Sequence, residues 1–333
     1  MHTRYLAVPA LLAVAAVALS GCASSPAAGT SSSDLRIVAT TTQVADFTRN
    51  VVGETAGVSL TQLIQPNQSA HSYDPSVADL TALGSADVLI INGVGLEEWL
   101  TDAIDASGFD GVTVDASHDV TVLGSEVGTD HADETTEEHA THAAGDPHIW
   151  TDAHNAETIV HSIEEGLVAA GPDHATAFEA NAAVYSAKLA DLDTWIRANV
   201  DTVPAAERLL VSNHDALGYY TAAYGITYVG AVIPSFDDNA EPSAAAIDTL
   251  VANIKDTGVK AVFSEASLSP KTADTIAAEA GVTVYSGDDA LYVDSLGPAG
   301  SAGDTYLAAQ IHNSTLILES WGVTPTALPA DLQ

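Results

Sequence analysis

The chain of 333 residues has a single cysteine, Cys22. One cysteine excludes an intrachain disulfide and any zinc or iron–sulfur site built from several thiolates. Basic residues are also scarce: nine Lys and Arg stand against 45 Asp and Glu, which gives a formal net charge of −36. Nucleic-acid binding needs a basic face for the phosphates, so this composition disfavours it. The acidity is compatible with cation accumulation and equally with simple solubility in a salty medium.

The N-terminus has the pattern of an export signal. Residues 6–19 form an apolar run of 14 residues behind Arg4, which is short for a membrane span and typical of the core of a signal peptide. The sequence Leu-Ser-Gly-Cys that ends at Cys22 resembles a bacterial lipobox, whose cysteine becomes the lipidated first residue of the mature protein. We predict a signal peptide over residues 1–21, lipidation of Cys22 and a flexible tether over residues 22–34. The alternative is an ordinary secreted protein with a chance cysteine.

Beyond the tether, short β-branched runs alternate with segments of helical periodicity. Residues 88–91, Val-Leu-Ile-Ile, are apolar throughout, as in a strand buried on both faces. The alternation fills residues 35–170 and again residues 203–325, which predicts mainly parallel sheets with right-handed crossovers. Residues 171–202 contain no Gly or Pro after Pro172, so we predict one helix of roughly 28 residues, about 40 Å long. The predicted fold class is α/β: two βα-repeat domains with mainly parallel sheets, joined by one long connector helix.

Four polar residues lie where ligands bind in open α/β sheets, beyond the carboxyl ends of strands. His71 is in the loop after the second strand, and His148 follows an Asp-Pro pair whose proline stiffens the turn. His214 directly follows the strand predicted at residues 209–211, and Asp294 follows what we predict to be the last strand. Two of the four come from each half, so the predicted site lies at the interface of the two domains.

Three imidazoles and one carboxylate form a complete tetrahedral set for zinc. Imidazole suits zinc better than manganese where geometry allows. Four protein ligands leave no open coordination position for a catalytic water, so we predict that the site holds a metal and that the protein is not an enzyme. The sequence contains no Gly-x-Ser-x-Gly or His-Glu-x-x-His motif. A metal-dependent hydrolase, which needs an open position and a nearby base, is the rival class.

Each of these residues also has an interpretation without a metal. His71 can be an ordinary loop histidine, His148 can be a turn histidine without a function, and His214 can orient the helix that follows it. Asp294 has two rivals at similar spacing, Asp288 and Asp289.

Other polar residues near the predicted site have supporting roles. Glu265 follows a strand at the interface, and we predict that it accepts a hydrogen bond from a ligand imidazole. The histidines on or beside helices are predicted to be surface or packing residues: His154, His161 and His312.

Several longer motifs occur in an order that resembles a known family. They are AHSYDPSVADLTALGSADVLIINGVGLEEWL at 70–100, DPHIWTDAHNAETI at 146–159, SNHDALGYYTAAYGI at 212–226, VFSEASLSPKTADTIA at 262–277 and LYVDSLGP at 291–298. From about Leu35 to Trp321, the chain resembles the zinc- and manganese-binding solute-binding lipoproteins of bacterial ABC transporters.

The resemblance implies that His71, His148, His214 and Asp294 bind the metal. In this family a histidine at the third position is associated with zinc and a glutamate with manganese or iron. Because this chain has a histidine there, His214, the resemblance implies Zn²⁺, with Mn²⁺ or Fe²⁺ as the alternative. It also implies a monomeric extracytoplasmic protein, lipid-anchored to the cell membrane, that captures Zn²⁺ and delivers it to an ABC transporter permease. Some members are reported to bind host matrix, so a surface adhesin is a further alternative.

Residues 119–143 are polar and acidic, and zinc-binding members of the family often carry a His-rich acidic loop at this point. The histidines of this tract are His131, His139 and His142. The resemblance implies a loop that captures zinc weakly and passes it to the main site; a solvated disordered insert is the alternative. The chain departs from the family before His71, where Ser69-Ala70 stands in place of a frequent Asp-Pro.

Overall fold

In the computed structural model of the protein, residues 34–124 and 145–333 are described. The predicted signal peptide and the lipidated Cys22 lie outside these residues, and so do His131, His139 and His142. Within the described ranges, no helix combines the length and the apolar character needed to cross a membrane. Residues from Asp34 onward group into one compact unit, and their division into two domains around a connector remains a prediction.

The first half of the chain contains a parallel sheet of four strands in the order β2-β1-β3-β4. Its strands and helices alternate along the chain as β1 (Leu35–Ala39), α1 (Thr42–Val52), β2 (Val58–Gln62), α2 (Val77–Gly84), β3 (Val88–Ile91), α3 (Leu100–Ser107) and β4 (Val112–Asp115). Because β3 has a neighbour on each side and helices on its faces, Val88, Leu89 and Ile90 are fully buried. Ser76 begins α2 with a capping box that it shares with Asp79.

Two long helices follow the first sheet. α4 (Ala153–Ala170) begins after Asp152, whose side chain accepts a hydrogen bond from the backbone N–H of His154. The predicted connector is α5 (Ala175–Val200), a helix of 26 residues that is preceded by a 3₁₀ turn over Pro172–His174. α5 packs against α1 and α4. Its length follows from the absence of Gly and Pro, and the face that it buries includes Phe178, Leu189, Leu192 and Ile196.

The second half repeats the alternation with two pairs of parallel strands. Its elements are β5 (Leu209–His214), α6 (Gly218–Tyr224), β6 (Thr227–Ile233), α7 (Ala244–Thr257), β7 (Ala261–Phe263), α8 (Lys271–Ala280), β8 (Thr283–Tyr285) and α9 (Tyr306–Ser320). β5 pairs with β6, β7 pairs with β8, and α9 packs back against α5. Every strand pair in the described part of the chain is parallel. The predicted α/β class with parallel sheets and one long helix is confirmed.

Candidate metal centre

Four side chains from distant parts of the sequence meet in one buried cluster. They are His71, His148, His214 and Asp294, and one potential ligand atom of each lies within 4.8 Å of the others. The Asp294 carboxylate is 3.3 Å from His71 Nε2, 3.4 Å from His148 Nε2 and 3.1 Å from His214 Nε2. The three imidazoles therefore present the same ring nitrogen to one small volume.

His71 is placed by the loop between β2 and α2. Its backbone N–H donates to Ser69 Oγ at 3.2 Å, and Trp99 Nε1 donates to the carbonyl of neighbouring Ala70 at 2.9 Å. Hydrogen bonds between side chains and the backbone thus shape this loop. The His71 side chain is 10% exposed, which makes it the least buried of the four.

His148 is oriented by the aspartate two residues before it. Asp146 Oδ1 lies 3.0 Å from the backbone nitrogen of His148 and 2.8 Å from its Nδ1. With Nδ1 held by this carboxylate, Nε2 is left to face the cluster. Two more hydrogen bonds stabilise the turn. Asn92 Nδ2 donates to the backbone carbonyl of Pro147 at 3.0 Å, and the Tyr219 hydroxyl donates to the backbone carbonyl of Asp146 at 2.8 Å. The sequence predicts Asp146 only as part of a turn, although an aspartate two residues before a histidine suits a local hydrogen bond of this kind.

His214 has the same kind of support from Glu265. The sequence predicted that His214 follows the strand, but in the structure His214 is the last residue of β5. Glu265 Oε1 forms a hydrogen bond with His214 Nδ1 and also accepts from the backbone N–H of His214 at 3.2 Å. Because Glu265 follows β7, which packs beside β5, the carboxylate lies directly behind the ring. This contact is the one that the predicted role of Glu265 requires.

Asp294 is held by side chains that bind the backbone around it. The last strand, β8, ends at Tyr285, and Asp294 follows it after a loop in which Leu291 forms an isolated parallel bridge with Glu265. The carbonyl of Val293 accepts from Gln43 Nε2 at 2.8 Å and from Trp150 Nε1 at 3.0 Å. These donors come from the other half of the chain, so packing between the halves places the carboxylate. The rivals Asp288 and Asp289 lie exposed in a 3₁₀ turn.

The electrostatics of the cluster suit a cation. Both carboxylate oxygens of Asp294 and Nε2 of His71 are buried without a hydrogen bond of good geometry. Burial opposes ionisation of Asp294, but the charges of His214 and His148 and the close approach of the His214 and His71 rings hold its pKa well below the usual value. Burial likewise opposes a charge on His214, yet Asp294 and Glu265 raise its pKa well above the usual value. The buried carboxylates therefore favour positive charge here, which protons or a metal ion can supply.

The three histidines that the sequence predicts to be surface or packing residues lie apart from this cluster. His154 and His161 are exposed on α4, where their rings approach neighbouring glutamates at 3.5 to 3.6 Å. His312 Nε2 lies 3.0 Å from the carbonyl of Ala290 and its ring packs against Tyr292. Over residues 34–124 and 145–333, no second group of three or more His, Cys, Asp or Glu is arranged to hold a metal ion.

Comparison with known proteins places most of the chain in one family. The family described as zinc-uptake complex component A periplasmic, or ZnuA, matches residues 37–320. The chain is 31% identical over 280 residues to the manganese-binding lipoprotein MntA of Halalkalibacterium halodurans, covering 84% of this chain and 86% of the relative. It is 33% identical over 259 residues to the zinc-binding protein AdcA of Streptococcus pyogenes, covering 74% of this chain and 49% of the relative.

A solved structure has the same architecture. The periplasmic zinc-binding protein TroA from Treponema pallidum superposes with a TM-score of 0.74 at 26% identity, covering 86% of this chain and 98% of TroA. The prediction that the chain belongs to this family is confirmed. The prediction that it is not an enzyme is confirmed with it, because the family consists of solute-binding proteins for metal transport. The chain belongs to the ZnuA family and is a metal-binding solute-binding protein of the ABC-transporter type.

Proposed function

We propose that the protein captures Zn²⁺ outside the cytoplasm and delivers it to an ABC importer. The proposal rests on one observation, the convergence of three imidazoles and one carboxylate in a buried volume. Three neutral nitrogens and one carboxylate oxygen complete a tetrahedral zinc set, and a set of four protein ligands leaves no position for a reactive water. The residues that bind the ion are His71, His148, His214 and Asp294.

The choice of zinc rests on the chemistry of the donors, because relatives named for zinc and for manganese are both similar to this chain. Mn²⁺ prefers oxygen ligands in six-coordinate geometry, whereas imidazole suits Zn²⁺. His214 supplies nitrogen, and the carboxylate behind it, Glu265, is engaged with the far side of the ring through Oε1. Mn²⁺ or Fe²⁺ is the alternative cargo.

The proposal includes an anchor and a partner. Cys22 would carry the lipid that holds a monomeric protein at the outer face of the cell membrane, close to the permease that receives the ion. The lipobox-like sequence that ends at Cys22 supports this anchor, and relatives similar to the chain are named lipoproteins.

Elemental analysis of protein purified without added metal tests the proposed cargo. We expect about one zinc per chain, because the four ligands form one site. Competition titration should then show that Mn²⁺ in about tenfold excess leaves the zinc in place. Displacement of zinc by Mn²⁺ under these conditions would assign the protein to manganese instead, and metal-free protein that binds neither ion would refute the proposed function.

Zinc affinity is expected to fall on acidification, starting above pH 6.5. An imidazole must be neutral to bind metal, so a raised pKa extends proton competition to higher pH. Burial lowers the pKa of His71, but the adjacent Asp294 carboxylate raises it above its usual 6.5, and the pKa of His214 is raised further. Competition titrations between about pH 8 and pH 5.5 measure the effect. An affinity that stays constant between about pH 7.5 and pH 6.5 would contradict it.

Gly218→Ala is expected to weaken zinc binding about tenfold through Asp146, the size seen when a partner of a ligand histidine is disturbed. A Cβ atom at Gly218 would lie 2.5 Å from Asp146 Oδ2. The carboxylate cannot turn away freely, because its other oxygen holds the backbone and ring of His148. The measurement is the Kd for Zn²⁺ by competition with a chelator.

Gly225→Ala is the matched control at the other end of α6. Gly225 has φ of +62°, so alanine there strains the helix end, while its Cβ meets only Arg208 at 3.5 Å. It should lower stability and leave zinc affinity unchanged. Equal loss of affinity in both variants would attribute the effect of Gly218→Ala to general destabilisation.

A further inference from the structure

The loop that carries His71, residues 65–75, is tied to the second half of the chain on both sides of that ligand. Three hydrogen bonds form these ties: the backbone N–H of Asn67 to Ser295 Oγ at 2.9 Å, Ser69 Oγ to Asp238 Oδ1 at 2.8 Å, and Asn239 Nδ2 to Ser72 Oγ at 2.9 Å. The position of His71 relative to the other three ligands therefore depends on contacts outside the metal cluster.

The central tie reaches the backbone of the ligand itself. Ser69 Oγ donates to Asp238 and at the same time accepts from the backbone N–H of His71 at 3.2 Å. Asp238 is buried, and its Oδ1 also accepts from Asn239 Nδ2 at 2.6 Å. Two donors on one oxygen restrict the movement of the buried Asp238 carboxylate. The Ser69 hydroxyl bonds both to this carboxylate and to the backbone of His71, so it holds His71 in a defined position.

His71 is also the ligand that borders solvent. The side chains of His148 and His214 are 0% exposed and that of Asp294 is 1% exposed, against 10% for His71. On the side of His148, the ring of Phe236 covers the imidazole with the ring centres 6.0 Å apart. Among the four ligands, His71 is therefore the one that solvent reaches most readily.

We propose that Ser69 and Asp238 form a latch between the two halves that holds His71 against the metal and limits the rate of metal release. The inference rests on the proposed function and concerns how the same site lets go of its ion. Ser69 and Asp238 are positioning residues, since neither belongs to the cluster of candidate ligands. Opening the latch removes the central one of the three ties, next to His71, and His71 leaves the coordination sphere first.

The rate of zinc dissociation, measured by stopped-flow mixing with excess chelator, tests the latch. Ser69→Ala and Asp238→Ala should each speed dissociation roughly tenfold, the size expected for losing one hydrogen bond to a buried carboxylate. The double variant should dissociate clearly more slowly than the product of the two single effects predicts, because both single variants remove the Ser69–Asp238 contact. Association should change much less, since encounter depends on diffusion and overall charge.

Conservative variants separate a latch from a general structural role. Ser69→Thr keeps the hydroxyl and Asp238→Asn keeps an acceptor oxygen, so both should release zinc at nearly the wild-type rate. Glu241→Gln is the charge control, because it removes one negative charge from an exposed position near Asp238 and should have no effect. Ser69→Ala, in a surface loop, decides the question if Asp238→Ala does not fold.

Two results overturn the latch: single variants that release zinc within about twofold of the wild-type rate, and effects of the single variants that simply add in the double variant. If the wild-type protein binds zinc, either of these results refutes the latch and leaves the proposed function intact. A wild-type protein that binds no divalent ion refutes the proposed function and the latch together.

Discussion

His148→Ala is expected to raise the Kd for Zn²⁺ at least about a hundredfold. A zinc site in a small protein releases about 10–16 kcal/mol on binding at pH 7, so one of four ligands carries roughly 3 kcal/mol, or two powers of ten in Kd. The His148 side chain is fully buried, so water replaces it poorly as a ligand. Its loss also leaves the buried Asp146 carboxylate without its imidazole partner. Competition with a chelator of known affinity measures the change.

His154→Ala is the matched control for this prediction. His154 lies six residues further along the same segment and is 73% exposed, beside Glu157. Removing it should leave zinc affinity unchanged, and the two variants differ only in which imidazole is lost. A His148→Ala variant that binds zinc as tightly as the wild type would mean that the assignment of the ligands is wrong.

Trp150→Ala is expected to lower the free energy of unfolding by about 3–5 kcal/mol, the usual cost of removing a large buried aromatic side chain. The Trp150 side chain is 2% exposed, and its ring packs edge-on against His148 with the ring centres 5.4 Å apart. Its indole N–H also donates to the carbonyl of Val293, next to Asp294. The cavity would therefore loosen two ligands, and zinc affinity should fall as well. Urea unfolding of the metal-free protein measures the stability change.

Trp150→Phe separates packing from the hydrogen bond. Phenylalanine retains most of the buried ring but cannot donate to Val293, whose carbonyl keeps its bond from Gln43. We expect a loss of about 1 kcal/mol, as for one neutral hydrogen bond. If Trp150→Ala were no more destabilising than Trp150→Phe, the packing of this side chain would contribute little, contrary to its burial.

The sequence determined the order of strands and helices because these depend on local patterns. The apolar run at residues 88–91 became β3, and the stretch without Gly or Pro became α5. Ser76 caps α2 together with Asp79, which is only three residues away. Motifs around His71, His148 and His214 likewise marked them as candidates before any contact was known.

Only the tertiary structure decided which of these residues meet. Spacing left Asp288 and Asp289 as rivals of Asp294, and the structure separates them because Gln43 and Trp150, from the other half of the chain, fix the backbone beside Asp294. The support of His214 by Glu265 and the tie between Ser69 and Asp238 also join residues far apart in sequence. Local periodicity carries no information about such contacts, because they depend on how whole elements pack together. The sequence thus determined the fold class and named the candidate ligands, and the packing of the two halves decided the geometry of the metal centre.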